Sequence, residues 1–198
     1  MPDMESQIPV RVVRLCFDDY NMPWPRPQTE TLYYFAPKRL NPLFLRSGKE
    51  AIDRFFDDLE VGQVFESLGR TVTNHDVLTY AGITGDNNEV HTNEEFAKNT
   101  PFKKRIAHGL LIVGLASGLT QRLGIFNRSA MAALDLQWTF KAPVVIGDTI
   151  HIRVTIDNMR ETSKGDRGIV TRRYDVLNQR DEVVQTGNFV VMMHKKPK

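Results

Sequence analysis

Asp86, Asn88 and His91 stand within a few residues of one another, directly behind Gly85. No other stretch of the 198-residue chain gathers a carboxylate, an amide and an imidazole behind a glycine. A carboxylate and an imidazole that share a water make an acid/base pair. One orients and deprotonates the water, and the other delivers a proton. Transfer of this kind contributes about 10²–10⁴-fold to a rate. On a tight turn all three side chains can point into one cavity, with Asn88 orienting the pair or the water. The same residues also fit a plain structural use, with Asp86 capping a turn and His91 leading a helix.

A second stretch, Ile106-Ala107-His108-Gly109-Leu110, opens the most apolar segment of the chain. A helix start offers unpaired backbone N–H groups and a partial positive charge. Glycine there lets a ligand oxygen come close to the backbone. An oxyanion hole can be built in this way without side chains. The quieter alternatives are a paired core histidine at His108 and a glycine packed on a strand at Gly109. Asp86, His91 and His108 could also form a two-histidine, one-carboxylate metal set. Their spacing gives no i, i+4 pair and no fourth ligand, so no metal and no cofactor is expected. A calcium loop is excluded, because Asp86-x-Asn88 lacks the glycine and the distal glutamate such a loop needs.

The surrounding elements must bring these two stretches together. Thr73-Asn74-His75-Asp76 is a capping box and predicts a helix over about 74–81. Thr92-Asn93-Glu94-Glu95 is a second box, with a short helix to about Lys98, and Pro101 follows. A long helix is expected from near His108 to about Leu123, ending at Gly124. It is apolar nearly all round, with Gly109, Gly114, Ala116, Ser117 and Gly118 interleaved, which predicts a fully buried helix whose glycines permit close packing. Ala51 to Phe56 has helical spacing over a short length. Strands are expected at Val64–Val72, Leu134–Phe140, Thr149–Glu161, Gly168–Leu177 and Val183–Met193, with polar turns between them. In Thr149–Glu161 the residues Ile150, Ile152, Val154 and Ile156 share one face. The fold class is therefore α+β, a long helix lying across the concave face of an antiparallel sheet.

Residues 1–48 differ in texture. Seven of the ten prolines fall there, and Pro23-Trp24-Pro25-Arg26-Pro27 must be extended. They are expected to form an extension packed on the main domain, 49–198, or on a partner subunit. The net charge is only +2 and no Lys/Arg face stands out in the sequence, so no nucleic-acid partner is expected. The longest apolar run, Leu110 to Leu119, is too short to span a bilayer. One cysteine, Cys16, excludes an intrachain disulfide. With no apolar leader at the N-terminus, the expectation is the cytoplasm or an organelle matrix.

Tyr80-x-x-Ile83-Thr84-Gly85-Asp86-x-Asn88-x-Val90-His91-x5-Ala97 resembles the signature of the MaoC-like, or R-specific hydratase type 2, family. Asp58 to Gln63, Arg105 to Gly109, and Phe140 to Val144 with Gly147-Asp148 resemble three further motifs of the family in the same order. Together they cover about residues 52 to 193. The resemblance implies a single hot-dog domain, a homodimer, and addition of water to trans-2-enoyl-CoA to give (3R)-3-hydroxyacyl-CoA, or the reverse. It implies catalytic roles for Asp86, His91, Asn88 and the Gly109 amide, and substrate contacts from Tyr80, Arg105 and His108. Lys103, Lys104, Arg105 and Lys141 are the cations placed to meet CoA phosphates. Alternatives are dehydration of a 3-hydroxyacyl group on acyl carrier protein, a branched or dicarboxylic enoyl-CoA substrate, and a non-catalytic thioester-binding partner subunit. One position departs from the pattern. The family usually has proline after the Asn, and here it is Glu89, which could alter the turn or add a carboxylate to the site.

Overall fold

The structure is a computed structural model and describes residues 53–197. The extension expected at 1–48, and Ala51 and Ile52 of the short helical run, lie outside the described residues. The last residue of that run, Phe56, opens a 3₁₀ turn, Phe56–Asp58. The strand expected over Val64–Val72 is two pieces, β1 (Val64–Glu66) and β2 (Arg70–Thr71). The break at Ser67 has a physical cause. The Ser67 hydroxyl accepts the Ile152 amide and its own amide donates to the Ile152 carbonyl, so side chain and backbone share the pairing there.

The Thr73 capping box forms as expected. The Thr73 hydroxyl accepts the Asp76 amide and the Asp76 carboxylate accepts the Thr73 amide. It starts α1 (Asn74–Thr84), which runs one turn beyond the expected end. Gly85 ends it at φ 76°, a left-handed conformation that glycine adopts without steric cost. Two short helices follow, α2 (Glu89–Thr92) and α3 (Glu94–Lys98). The second box is corrected by one residue. Asn93, not Thr92, caps α3 by accepting the amides of Glu95 and Phe96, while the Thr92 hydroxyl donates to the carbonyls of Asn87 and Asn88.

The long helix is α4 (Gly109–Arg122). It is followed by β3 (Ala130–Phe140), β4 (Thr149–Glu161), β5 (Arg167–Leu177) and β6 (Val183–His194). All neighbouring strands are antiparallel, in the order β1-β4-β5-β6-β3, with β2 also paired to β4. Ile150, Ile152, Val154 and Ile156 are completely buried on one face of β4, as their alternation requires. Leu111, Ile112, Ala116 and Leu119 of α4 pack with the first three and with Trp138, Tyr174 and Val176 in one core, while Ile156 joins Phe56, Phe126 and Val191 in a second. A register shift between Ile156 and Asn158 marks a bulge that bends β4. This is the hot-dog arrangement, a helix held against a curved antiparallel sheet.

One expectation for α4 is overturned. The helix is buried on one face only. Leu110, Gly114, Ser117 and Gly118 are exposed, and a Cβ at Gly114 or Gly118 would meet nothing within 4 Å. Within the described residues, then, these glycines serve no close packing. The outer edge of β3 is likewise unpaired among the described residues. No helix among the described residues is long and apolar enough to cross a membrane.

Candidate active site

Gly85 reverses the chain out of α1, and the turn is tied locally. The Thr84 hydroxyl donates to the Tyr80 carbonyl and accepts the Asp86 amide. Asp86 is left exposed at the wall of a cavity of about 520 Å³. His91 reaches the same cavity from α2. Its Nδ1–H donates to the Ile106 carbonyl at 2.8 Å, and the Ile106 amide donates back to the Val90 carbonyl. A carbonyl can only accept, so Nδ1 carries the proton and the neutral ring keeps its lone pair on Nε2.

His108 locks the two stretches together. It is buried, and its Nε2–H donates to the Asp86 backbone carbonyl at 2.9 Å. Its ring lies 3.8 Å from that of His91, centroid to centroid, and 4.8 Å from that of Tyr80. Burial pushes the His91 imidazole below its ordinary value. The Ile106 bond opposes this, the neighbouring His108 adds to it, and the Asp86 carboxylate opposes it. His91 is therefore held in the neutral form, with Nε2 free.

Gly109 is the first residue of α4, so its N–H has no partner within the helix. The Phe140 ring packs on it so closely that a Cβ would stand 2.7 Å from Cε1. Tyr80, Asp86, His91, His108, Gly109 and Lys141 all line the one cavity. The rest of the wall is largely apolar, with Phe102, Leu110, Phe140 and Val144 among it.

Four expected site residues stand elsewhere. The Asn88 side chain is committed as the cap of α2, accepting the Val90 amide, and it does not line the cavity. A cap precedes its helix and bonds forward to the first turn, which commits the Asn88 oxygen to the α2 backbone. Arg105 pairs with Glu94 at 2.7 Å and donates to the His91 carbonyl, so it braces α2 and α3 rather than the cavity. Lys103 and Lys104 are exposed outside the cavity wall. Lys141 is the one of the four cations that borders it. Glu89 adds no carboxylate to the site. It is the first residue of α2 and its carboxylate accepts the Asn93 side-chain amide. That position suits proline, whose missing N–H would be unpaired anyway, and equally an acid, which the helix dipole favours. The turn therefore survives the departure.

The donor atoms of Asp86, His91 and His108 lie within 4.8 Å of one another, close enough to raise the metal reading again. Each imidazole already commits one nitrogen to a backbone carbonyl. The two rings are stacked with 32° between their planes.

Gln185, 76 residues from Gly109, also reaches the cavity and is not evident from the two motif stretches. The sequence does carry a signal for it, a lone amide on the otherwise apolar face of β6 that holds Val183, Phe189, Val191 and Met193.

The MaoC like domain profile matches residues 58–178, which contain every one of these wall residues except Gln185. The chain belongs to the MaoC-like family. A 3-hydroxybutyryl-CoA dehydratase of Methylorubrum extorquens is 38% identical over 144 residues, 72% of this chain and 85% of that protein. An (R)-specific enoyl-CoA hydratase of Rhodospirillum rubrum is 38% identical over 114 residues, 57% of this chain and 76% of that protein. The crystal structure of a MaoC-like dehydratase from Rhodospirillum rubrum matches with a TM-score of 0.66 at 28% identity, over 73% of this chain and 99% of that one. The shared fold places the MaoC-like signature of this chain at the junction of α1, α2 and α4.

Proposed function

We propose that this MaoC-like protein is a hydro-lyase of acyl thioesters, an (R)-specific enoyl-CoA hydratase. It adds water to trans-2-enoyl-CoA to give (3R)-3-hydroxyacyl-CoA and runs the reverse dehydration. The observation that carries this reading is the Asp86/His91 pair on the same cavity wall as the Gly109 N–H, which has no partner among the described residues. The names of the two relatives, a 3-hydroxybutyryl-CoA dehydratase and an (R)-specific enoyl-CoA hydratase, support it.

In this reading a water sits between the Asp86 carboxylate and His91 Nε2. Asp86 accepts one of its hydrogens and orients it. His91 takes the other proton as the water oxygen bonds to C3. The C2=C3 electron pair moves toward the thioester carbonyl, whose oxygen meets the Gly109 N–H at the positive end of α4. A proton then returns to C2. Tyr80 and His108 hold the pair in place through ring contacts and the Asp86 carbonyl. Lys141 at the cavity border meets the phosphates of CoA.

The β3 edge and the small-residue face of α4, both uncovered among the described residues, support a homodimer, because a long bare edge strand is otherwise prone to uncontrolled pairing. The cytoplasm or an organelle matrix is the proposed location.

Turnover of a panel of trans-2-enoyl-CoA chain lengths, with the stereochemistry of the product, tests the function. A (3R) product is expected. A (3S) product, or no turnover at any length, overturns the reading.

The pH dependence tests the role of His91. The base form is the neutral imidazole, and burial depresses its pKa. Activity is therefore present above that depressed value and lost as pH falls through it. The acid limb of kcat/KM should lie below the ordinary histidine value of about 6.5. An acid limb at or above that value would contradict the assignment.

A further inference from the structure

Gln185 is 2% exposed on the core face of β6, yet it lines the cavity shared by His91 and Gly109. An amide buried on an apolar face costs free energy unless its groups are paired. Here both ends are paired. The Trp138 Nε1–H donates to Gln185 Oε1 at 2.8 Å, and Gln185 Nε2–H donates to the Gly109 carbonyl at 3.3 Å. An indole nitrogen can only donate, so it fixes which way the amide faces. The oxygen must face Trp138, and the amino group must face Gly109. Trp138 is itself buried in the core between α4 and the sheet, so the anchor is rigid.

The start of α4 is thus held from two sides, by the Phe140 ring against the Gly109 Cα and by the Gln185 amide on the Gly109 carbonyl. We propose that Gln185 is a positioning residue: the Trp138–Gln185–Gly109 chain fixes the first turn of α4 so that the Gly109 N–H is aimed at the thioester oxygen. This rests on the acyl-thioester reading above. A donor fixed beforehand needs no reorganisation as charge develops. A donor misplaced by about 1 Å can cost about 10²-fold in rate. The β6 strand, far from the signature in sequence, therefore completes the site.

Two variants of the full chain test this, Gln185→Leu and Gln185→Glu. The first readout needs no turnover. In ¹⁵N-labelled protein without substrate, Gln185→Leu should move the Gly109 amide resonance. An unchanged Gly109 resonance overturns the inference, whatever reaction the protein performs. The second readout is kinetic. Gln185→Leu should lower kcat on crotonyl-CoA by about 10²-fold with KM little changed, and an unchanged kcat overturns the inference while leaving the hydratase reading intact.

Gln185→Glu supplies a pH signature. Protonated, its carboxyl reproduces the glutamine pattern, accepting from Trp138 and donating to the Gly109 carbonyl. Ionised, it sets an acceptor against that carbonyl. The ratio of its kcat to that of wild type should therefore fall as pH rises through the pKa of this carboxyl, which burial raises. The ratio is read at pH values where a thermal melt shows the variant as stable as at low pH, and a ratio independent of pH there overturns the inference. This variant also serves if Gln185→Leu fails to fold, because at low pH it keeps both hydrogen bonds.

Discussion

Replacing His91 with alanine is expected to lower kcat for hydration of an enoyl-CoA by about 10²–10⁴-fold, the range for loss of one general acid/base group. KM should change little. The imidazole is assigned to the water and the proton, not to the thioester, so its loss falls on the transition state. The fold should survive. The variant gives up one hydrogen bond to the Ile106 carbonyl, worth about 1 kcal/mol. It leaves the His108 bond to the Asp86 carbonyl in place. Steady-state kinetics beside a thermal melt separate the two effects. A variant that melts near wild type and keeps kcat within a few-fold would remove His91 from the chemistry.

Gly109→Ala should be the other large effect, for a different reason. Alanine is the better helix former by about 1 kcal/mol, so the backbone alone would favour the change. The added Cβ, however, stands 2.7 Å from one Phe140 ring atom and 2.9 Å from another. Something must shift. Phe140 is 40% exposed, so its ring can swing outward instead of breaking the core. The protein should stay folded while the cavity wall and the Gly109 N–H are displaced. A loss of about 10²-fold in kcat/KM is expected. Repeating the substitution in a Phe140→Ala background separates the causes. If the ring drives the displacement, Gly109→Ala costs much less there. An unaltered kcat/KM in Gly109→Ala alone would show that this close approach is unimportant.

Much of this was legible in the sequence because it depends on local chemistry. The Thr73/Asp76 box needs only four consecutive residues, and it formed as expected. The alternation of Ile150, Ile152, Val154 and Ile156 predicted both strand and buried face, since a strand's side-chain period is two. The end of α1 at Gly85 and the start of α4 at Gly109 place the two motif stretches against each other.

The misreadings have physical reasons too. Asn88 sits where a short polar residue is equally good as a helix cap or as a site residue, and its choice depends on α2 forming at all. At four residues, α2 is too short to show periodicity. Thr92 and Asn93 are adjacent capping types, and the carbonyls of Asn87 and Asn88 decide between them by taking the Thr92 hydroxyl. Arg105 reads as a free cation until α3 brings Glu94 beside it. The apolar, glycine-bearing pattern of α4 suggested burial on all sides, yet within one chain its Gly114 and Gly118 face stays open. Sequence pattern cannot say whether such a face is covered by the same chain or by another copy. Gln185 lies beyond local reasoning, because only the β6–β3 pairing and the packing of α4 bring it to Gly109.

The central claim is that Asp86 and His91 hold a water against an enoyl thioester. The most direct measurement is the loss of enoyl absorbance when the protein meets crotonyl-CoA, run side by side for wild type and Asp86→Asn. The account predicts turnover by wild type and a rate about 10²-fold lower or less in the variant. Absence of wild-type turnover, or an Asp86→Asn variant that hydrates crotonyl-CoA at the wild-type rate, would contradict it.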